Sequence, residues 1–256
     1  MTERLASDLA LAHAMADAAD VITMARWRHR ALTVDIKADN SPVSDADRAV
    51  ERALRDMLAT SRPTDAVLGE EEGGAPAGGR RWILDPIDGT RAFVRGLPVF
   101  ATLIALEEDG VVVAGVVSAP ALHRRWWAGR GLGAHADTGP ISVSAVTRVE
   151  DAFISATDPR YFTAPGLRHA YAALARRCWT ARMLGDFWSH VLVAEGVVDI
   201  AVEVGAEIYD WAPLQVIVEE AGCRFTDLDG TERCDGAAAI ATNGHLHQEV
   251  LGALRG

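Results

Sequence analysis

The run Trp82-Ile83-Leu84-Asp85-Pro86-Ile87-Asp88-Gly89-Thr90 joins an apolar strand to two carboxylates, a glycine and a hydroxyl. Asp85 and Asp88 stand three positions apart, and Pro86 keeps the connection between them out of regular helix. Two carboxylates fixed at a strand end suit a hard divalent cation, which prefers oxygen ligands. Gly89-Thr90 opens a short helical turn through Phe93, and its free backbone N–H groups suit a phosphate. An Asx turn followed by an N-cap explains the same aspartates without any ligand.

Other acids also follow strands or open helices. Glu70, Glu71 and Glu72 come directly after a strand, where like charges repel unless cations intervene. Glu72 reads as solvated. Asp47 lies three residues after Ser44 at a helix start, so it fits the return arm of a capping box. Asp210 opens a helix, with Pro213 in its first turn and Leu214, Ile217, Val218 and Ala221 inward, and capping alone accounts for it. Capping does not account for so many acids in such places.

The elements that must carry these groups are readable from periodicity. A first helix is expected over 3–30, with Leu5, Leu9, Ala12, Ala16 and Ala19 on one face. Residues 37–43 read as loop, and Ser44 caps a helix to about Ala59 with Val50, Ala53, Leu54, Met57 and Leu58 inward. Strands are expected at 66–69 and 81–84, separated by a glycine-rich surface loop over 73–79. A hairpin over 99–118, turning at Glu108-Asp109-Gly110, is followed by a strand at 124–128. The polar stretch 129–140 suggests a boundary between parts 1–139 and 140–256. Beyond it, strands near 152–157, 179–184, 198–204 and 237–242 alternate with helices near 165–177, 186–195, 210–221 and 244–254, an α/β pattern.

Composition restricts partners. The 256 residues carry a formal net charge of -11, and no Lys/Arg run exceeds two residues. Nucleic acid and anionic membranes are therefore excluded as partners. Small phosphorylated metabolites need local positive charge, which bound cations or helix N-termini supply. No segment approaches the roughly 20 apolar residues of a bilayer span. The N-terminus lacks a secretory pattern, and three cysteines, an odd number, form no disulfide framework. A cytoplasmic location is expected.

Taken together, WILDPIDGT, the upstream GEE, the DNSPVSDAD segment and the downstream IYDWAPLQVIVEEAG resemble the inositol monophosphatase-like family of metal-dependent phosphatases. The stretches GTRAFVRGLPVFATLIAL, SAPALHRRWWA and Gly185-Asp186-Phe187 are most similar to its histidinol-phosphate phosphatases. The resemblance implies a layered αβαβα sandwich of two packed subdomains with the site between them. It implies hydrolysis of a small phosphomonoester, L-histidinol phosphate in histidine biosynthesis, with an inositol phosphate or another small ester as the alternative. A non-catalytic metal or phosphate sensor on the same scaffold is the rival from another class, which the full ligand set disfavours.

The resemblance also implies roles. Glu70, Asp85 and the Ile87 carbonyl would hold a first Mg²⁺; Asp85 would bridge to a second, also held by Asp88 and Asp210; a third would sit near Glu70. Thr90 and Asp47 would orient and deprotonate the attacking water, with Glu70 beside them. The N–H groups of Gly89 and Thr90 would receive the phosphate. Asp186 would pair with the amino group of the substrate with help from Glu203, and the protein would be a homodimer; apart from the resemblance, Arg182 is a candidate for binding an anionic group of the substrate. The chain departs from the family pattern at Tyr209, where Trp is usual, and at Ser44, where Thr is commoner. Arg91-Ala92 after the Gly-Thr pair also departs, and argues against an inositol substrate.

Several other features read as ordinary structure. Asp227-Leu228-Asp229-Gly230-Thr231 resembles the nucleophile motif of haloacid-dehalogenase-type phosphatases, but residues 223–226 make a poor buried strand and too little chain follows. A hairpin turn at Asp229-Gly230 is expected instead. Gly129 to Gly133 lacks the helix that a nucleotide loop needs. His245 and His247 are expected at the surface. Of Trp126 and Trp127, one is expected in the core and one at an interface or under a loop. Arg124, Arg125 and Arg182 suit strand-edge solvation.

Overall fold

Thr2–Arg26 winds into helix α1 in the computed structural model, which describes residues 2–28, 32–37, 42–74 and 78–255. Ala12, Met15, Ala16 and Ala19 form its buried stripe, the expected face. The helix ends at Arg26, and residues 29–30 of the expected helix lie outside the described residues. β1 (Val34–Ile36) pairs antiparallel with β2 (Pro42–Ser44), so the expected loop at 37–43 ends in a strand. Its residues 38–41 lie outside the described residues. Pro42 starts an edge ladder, where its missing N–H costs nothing.

α2 (Asp45–Ser61) begins on the Ser44 cap, with Val50, Leu54 and Leu58 inward. β3 (Ala66–Gly69), β4 (Gly73–Gly74) and β5 (Arg80–Asp88) follow, then α3 (Thr90–Val94), β6 (Ala101–Glu108), β7 (Val111–Ala119) and β8 (Arg124–Gly129). β9 (Gly133–Ala136) and β10 (Gly139–Pro140) complete a sheet of order β10-β9-β8-β7-β6-β5-β3-β4 among the described residues. β9 and β10 lie inside the polar stretch 129–140, where glycine and proline mask the strand pattern. β4 likewise occupies the start of the expected loop at 73–79, whose residues 75–77 lie outside the described residues.

The second half supplies β11 (Phe153–Ala156), α4 (Leu167–Arg177), β12 (Thr180–Arg182), α5 (Asp186–Ala194), β13 (Ile200–Val204) and α6 (Ile208–Glu220). β14 (Arg224–Thr226), β15 (Ala238–Thr242) and α7 (His247–Arg255) complete it. Its sheet runs β12-β11-β13-β15-β14.

The two faces of the first sheet divide by strand alternation. Trp82, Leu84, Ile104 and Leu106 pack under α1 and α2. Ile83, Leu103 and Ala105 point the other way, into one core with Phe187 and Val191 of α5 and Trp211, Leu214 and Ile217 of α6. Ala201, Phe225 and Ala241 of the second sheet close that core from beyond the helices. On the far face, Ile154, Ile200, Val202 and Ile240 pack under α4 and α7. The result is the layered α-β-α-β-α sandwich. α6, between two sheets, is apolar nearly all round, as a helix with no solvent face must be.

Three expectations in the second half are corrected. Residues 224–226 do form a buried edge strand, β14, paired with β15. The turn at Asp229-Gly230 is an Asx loop rather than a two-residue hairpin: Asp227 Oδ1 accepts the N–H groups of Asp229 and Thr231 within a long connection to β15. His245 is exposed as expected, but His247 is buried, with Nε2 3.0 Å from Thr226 Oγ1 and Nδ1 3.1 Å from Thr242 Oγ1. Thr226 gives its hydroxyl proton to the Asp227 carbonyl, so His247 donates through Nε2 and stays neutral. Burial and the charges of Arg224 and Arg255 push its pKa down to about 4. His247→Phe is expected to cost about 2 kcal/mol of unfolding free energy, read from urea denaturation, because each of two buried threonine hydroxyls loses one hydrogen bond. A midpoint equal to wild type would contradict that role.

Trp126 is fully buried, while half-buried Trp127 stacks on His135. Arg124 and Arg125 are not solvated at a strand edge. Arg124 pairs with Glu195, and Arg125 with Asp17 and Asp20.

Candidate active site

β5 ends in a bulge between Asp85 and Asp88, where its pairing with β6 shifts register. Asp85 Oδ1 accepts the Ile87 N–H at 2.9 Å, and Thr102 Oγ1 ties down the Pro86 carbonyl at 2.8 Å. The bulge turns both aspartates to one place. Gly89 follows at φ 80°, a left-handed conformation, and a Cβ there would meet the Val99 carbonyl oxygen at 2.9 Å. Both facts require glycine. Thr90 then starts α3 and donates its hydroxyl to the Ile87 carbonyl at 2.9 Å.

Asp47 serves both readings made from the sequence. Its Oδ2 accepts the Ser44 N–H at 2.8 Å and the Ser44 hydroxyl at 2.6 Å, completing the capping box. Its Oδ1 faces Thr90 Oγ1 at 3.4 Å. Burial raises its pKa, partly offset by the bonds from Ser44.

Asp210 arrives from the other half of the molecule. It is the third residue of α6 rather than its opening residue, and Pro213 lies inside the helix rather than in its first turn. Its Oδ2 accepts the Glu207 N–H at 2.6 Å. Carboxylate oxygens of Asp85, Asp88 and Asp210 lie within 4.8 Å of one another. Burial, then the charges of Glu70, Asp210 and Asp88, hold Asp85 well above the usual carboxylate range. Burial and the charges of Asp186, Asp210 and Glu203 do the same to Asp88, and burial pushes Asp210 up to about 7. Carboxylates this close share protons or cations, and an all-oxygen set fits Mg²⁺.

Glu70 is held in part by a residue that sequence reasoning passed over. Lys37 Nζ lies 2.7 Å from Glu70 Oε1 and 2.7 Å from Glu71 Oε1. Glu51 was also missed. Fully buried on α2, it accepts the N–H groups of Glu71 at 2.7 Å and Glu72 at 3.0 Å. Its carboxylate fills the space over Gly69, where a Cβ would come within 2.1 Å of Oε1. The signal was present: Asp47, Glu51, Leu54 and Leu58 share one helical face, and an acid on an apolar face needs a purpose. Exposed Glu72 pairs with Arg52 and Arg55.

A cavity of about 740 Å³ opens beside the oxygen cluster, lined by Asp88 and Asp210 and by Asp186, Glu203, Arg91 and Tyr161 among others. Asp88 Oδ2 accepts the Phe187 N–H at 2.6 Å, which docks α5 against β5. Asp186, preceding Phe187, sits at φ 50°, uncommon for a non-glycine residue, with Oδ2 beside Gly89. Burial and then the Glu203 charge push its pKa up to about 7, against the pull of Arg91. The cavity thus gathers Asp186 and Glu203 with the cluster. Arg182 does not line it; its guanidinium bonds locally to Thr180 Oγ1 and the Ala181 carbonyl and is exposed.

Comparison with known proteins agrees with this geometry. The Inositol monophosphatase family matches residues 5–255. Histidinol-phosphatase of Mycobacterium tuberculosis is 52% identical over 250 residues, covering 95% of this chain and 96% of the relative. Histidinol-phosphatase of Streptomyces coelicolor is 46% identical over 256 residues, covering 96% of each. The solved inositol monophosphatase of Zymomonas mobilis superposes with a TM-score of 0.87 at 35% identity, over 97% of this chain and 98% of that one. Sandwich, oxygen cluster and full-length match agree: this chain belongs to the inositol monophosphatase family and is a phosphoric monoester hydrolase.

Proposed function

We propose that the chain hydrolyses L-histidinol phosphate to L-histidinol and inorganic phosphate in histidine biosynthesis, with two or three Mg²⁺ ions per site. One observation carries the reading. The cavity lined by Asp88 and Asp210 of the oxygen cluster is also lined by two further acids, Asp186 and Glu203. The cluster suits the cations that a phosphate needs. The extra acids suit a substrate whose other end is cationic, as the amine and imidazole of histidinol are. The similarity to two histidinol-phosphatases supports the same choice.

Glu70, Asp85, the Ile87 carbonyl, Asp88 and Asp210 would hold Mg²⁺, which supplies charge neutralisation at the phosphoryl oxygens and lowers the pKa of water. Thr90 and Asp47 orient the attacking water, and the raised pKa of Asp47 makes it a better proton acceptor near neutrality than an exposed aspartate. Glu70 stands beside them as a further acid of the catalytic set. The backbone N–H groups of Gly89 and Thr90 hold the phosphate in line with the water. Water adds to phosphorus, the bond to the histidinol oxygen breaks, and that oxygen keeps the electron pair and takes a proton.

We also place the site between parts 1–139 and 140–256, and the protein in the cytoplasm as a homodimer. Three unpaired thiols suit a reducing compartment. No helix among the described residues is long and apolar enough to cross a membrane. The dimer rests on the resemblance alone, and a sedimentation mass of one chain would remove it.

Phosphate release with Mg²⁺ and its loss on chelation separates this reading from a sensor. The substrate is tested by kcat/KM for L-histidinol phosphate against inositol 1-phosphate. A preference of about tenfold to hundredfold for the former is expected from one or two charge-assisted contacts. A preference for the inositol ester would sink the substrate and leave the chemistry standing.

A further inference from the structure

The proposed chemistry gives no task to His190, although it is fully buried one shell behind the cavity. It lies on the face of α5 between the sheets, with its ring 5.9 Å from Phe225. Its Nε2 is 3.0 Å from Glu203 Oε2, and its Nδ1 has no hydrogen-bond partner among the described residues. Glu203 is itself nearly buried on β13, yet it lines the cavity. Its second oxygen, Oε1, makes no hydrogen bond among the described residues. A buried carboxylate without a fixed partner would turn toward the nearest donor and lose its aim.

We propose that His190 is a positioning residue for substrate recognition: it ties down one oxygen of Glu203 from behind, so that the other is presented to the cationic end of the substrate. The inference rests on the histidinol phosphate reading. Three details support it. The contact joins α5 to β13, so the aim of Glu203 is set by two packed elements rather than by a loop. The same helix begins with Asp186, the second acid of the cavity, and the next residue is docked on Asp88. One short helix therefore orients both acids relative to the oxygen cluster. Finally, the opposite side of the imidazole makes no polar contact among the described residues, so the only polar task left to the ring is Glu203.

The test compares L-histidinol phosphate with 4-nitrophenyl phosphate, which carries no cation, in wild type, His190→Leu and His190→Gln. Glutamine can keep a donor near the position of Nε2; leucine cannot. The leucine variant is expected to raise KM for histidinol phosphate roughly tenfold to hundredfold, the range of one charge-assisted hydrogen bond. Its kcat/KM for 4-nitrophenyl phosphate should stay within about threefold of wild type, a threshold set well below one tenfold step. The glutamine variant should recover most of the histidinol phosphate KM. If the leucine variant fails to fold, His190→Asn, whose amide is too short to span the contact, replaces it with the same expectation.

Parallel losses on both esters would mean that His190 only packs the core, and overturn the inference. So would an unchanged KM in the leucine variant, or a glutamine variant as impaired as leucine. A wild-type enzyme that shows no preference for histidinol phosphate would instead remove the substrate reading on which the inference stands.

Discussion

Asp85→Asn is expected to lower kcat for phosphate release by about a thousandfold at saturating Mg²⁺, because the charge stabilisation lost is worth several kcal/mol. Asp85 lies within 4.8 Å of Asp88 and Asp210 and feels the charge of Glu70 as well, so a single substitution weakens the whole oxygen cluster. The asparagine keeps an oxygen for the Ile87 N–H, which leaves the bulge of β5 intact. Removing a buried charge also relieves repulsion, so the chelated variant should melt higher than chelated wild type. Activity and metal-free stability then move in opposite directions, as expected where a site is held under electrostatic strain. Turnover within tenfold of wild type, or a lower melting temperature without metal, would show that Asp85 serves the fold instead.

Stability should depend on pH and metal together. Burial pushes the carboxyls of Asp210 and Asp186 up to about 7, from 3.8 in an unfolded chain. Between those values the folded, metal-free protein holds protons that the unfolded chain has released. Its stability therefore falls as pH rises from about 4 to about 7 and then levels off. Mg²⁺ binds the ionised cluster, so the Tm difference between Mg²⁺ and chelator should widen from pH 5 to pH 8. At a hundred times Kd the gain is about 2.7 kcal/mol, or about 5–10 °C for a chain of this size. His247, with its pKa pushed down to about 4, gives the opposite slope below pH 6.5. Its partners are Thr226 and Thr242 rather than any carboxylate of the cluster, so it cancels from the difference. A Tm gain that is flat with pH would contradict the protonated cluster.

The carboxylate cluster was legible because its members sit where a strand ends or a helix starts, and those places are fixed by local pattern. Asp85, Asp88 and Asp210 needed only the strand at 81–84 and the helix near 210–221 to be placed. The capping box at Ser44 was equally local, although only the fold brings the free oxygen of Asp47 to Thr90. What stayed hidden depends on contacts across many residues. Lys37 meets Glu70 over 33 positions, and Glu51 meets the N–H of Glu71 over 20. His190 and Glu203 are 13 apart but belong to different layers, so no periodicity links them. β9, β10 and β14 were missed because glycine, proline and short length hide a strand whose stability comes from its neighbours. Arg182, a candidate for anionic groups, stands exposed on the edge strand β12, as strand-edge solvation required.

α6 is enclosed by both sheets and carries Asp210 within its first turn. During synthesis, a chain that ends before residue 208 would have only α5 against the inner face of the first sheet, an unfinished second sheet and an oxygen cluster short of one member. The ribosome delivers β5 more than a hundred positions before it delivers that helix. Completion of the oxygen cluster must therefore trail chain elongation, and a nascent chain stalled before α6 would expose apolar surface of the first sheet that α6 later covers to chaperones and proteases.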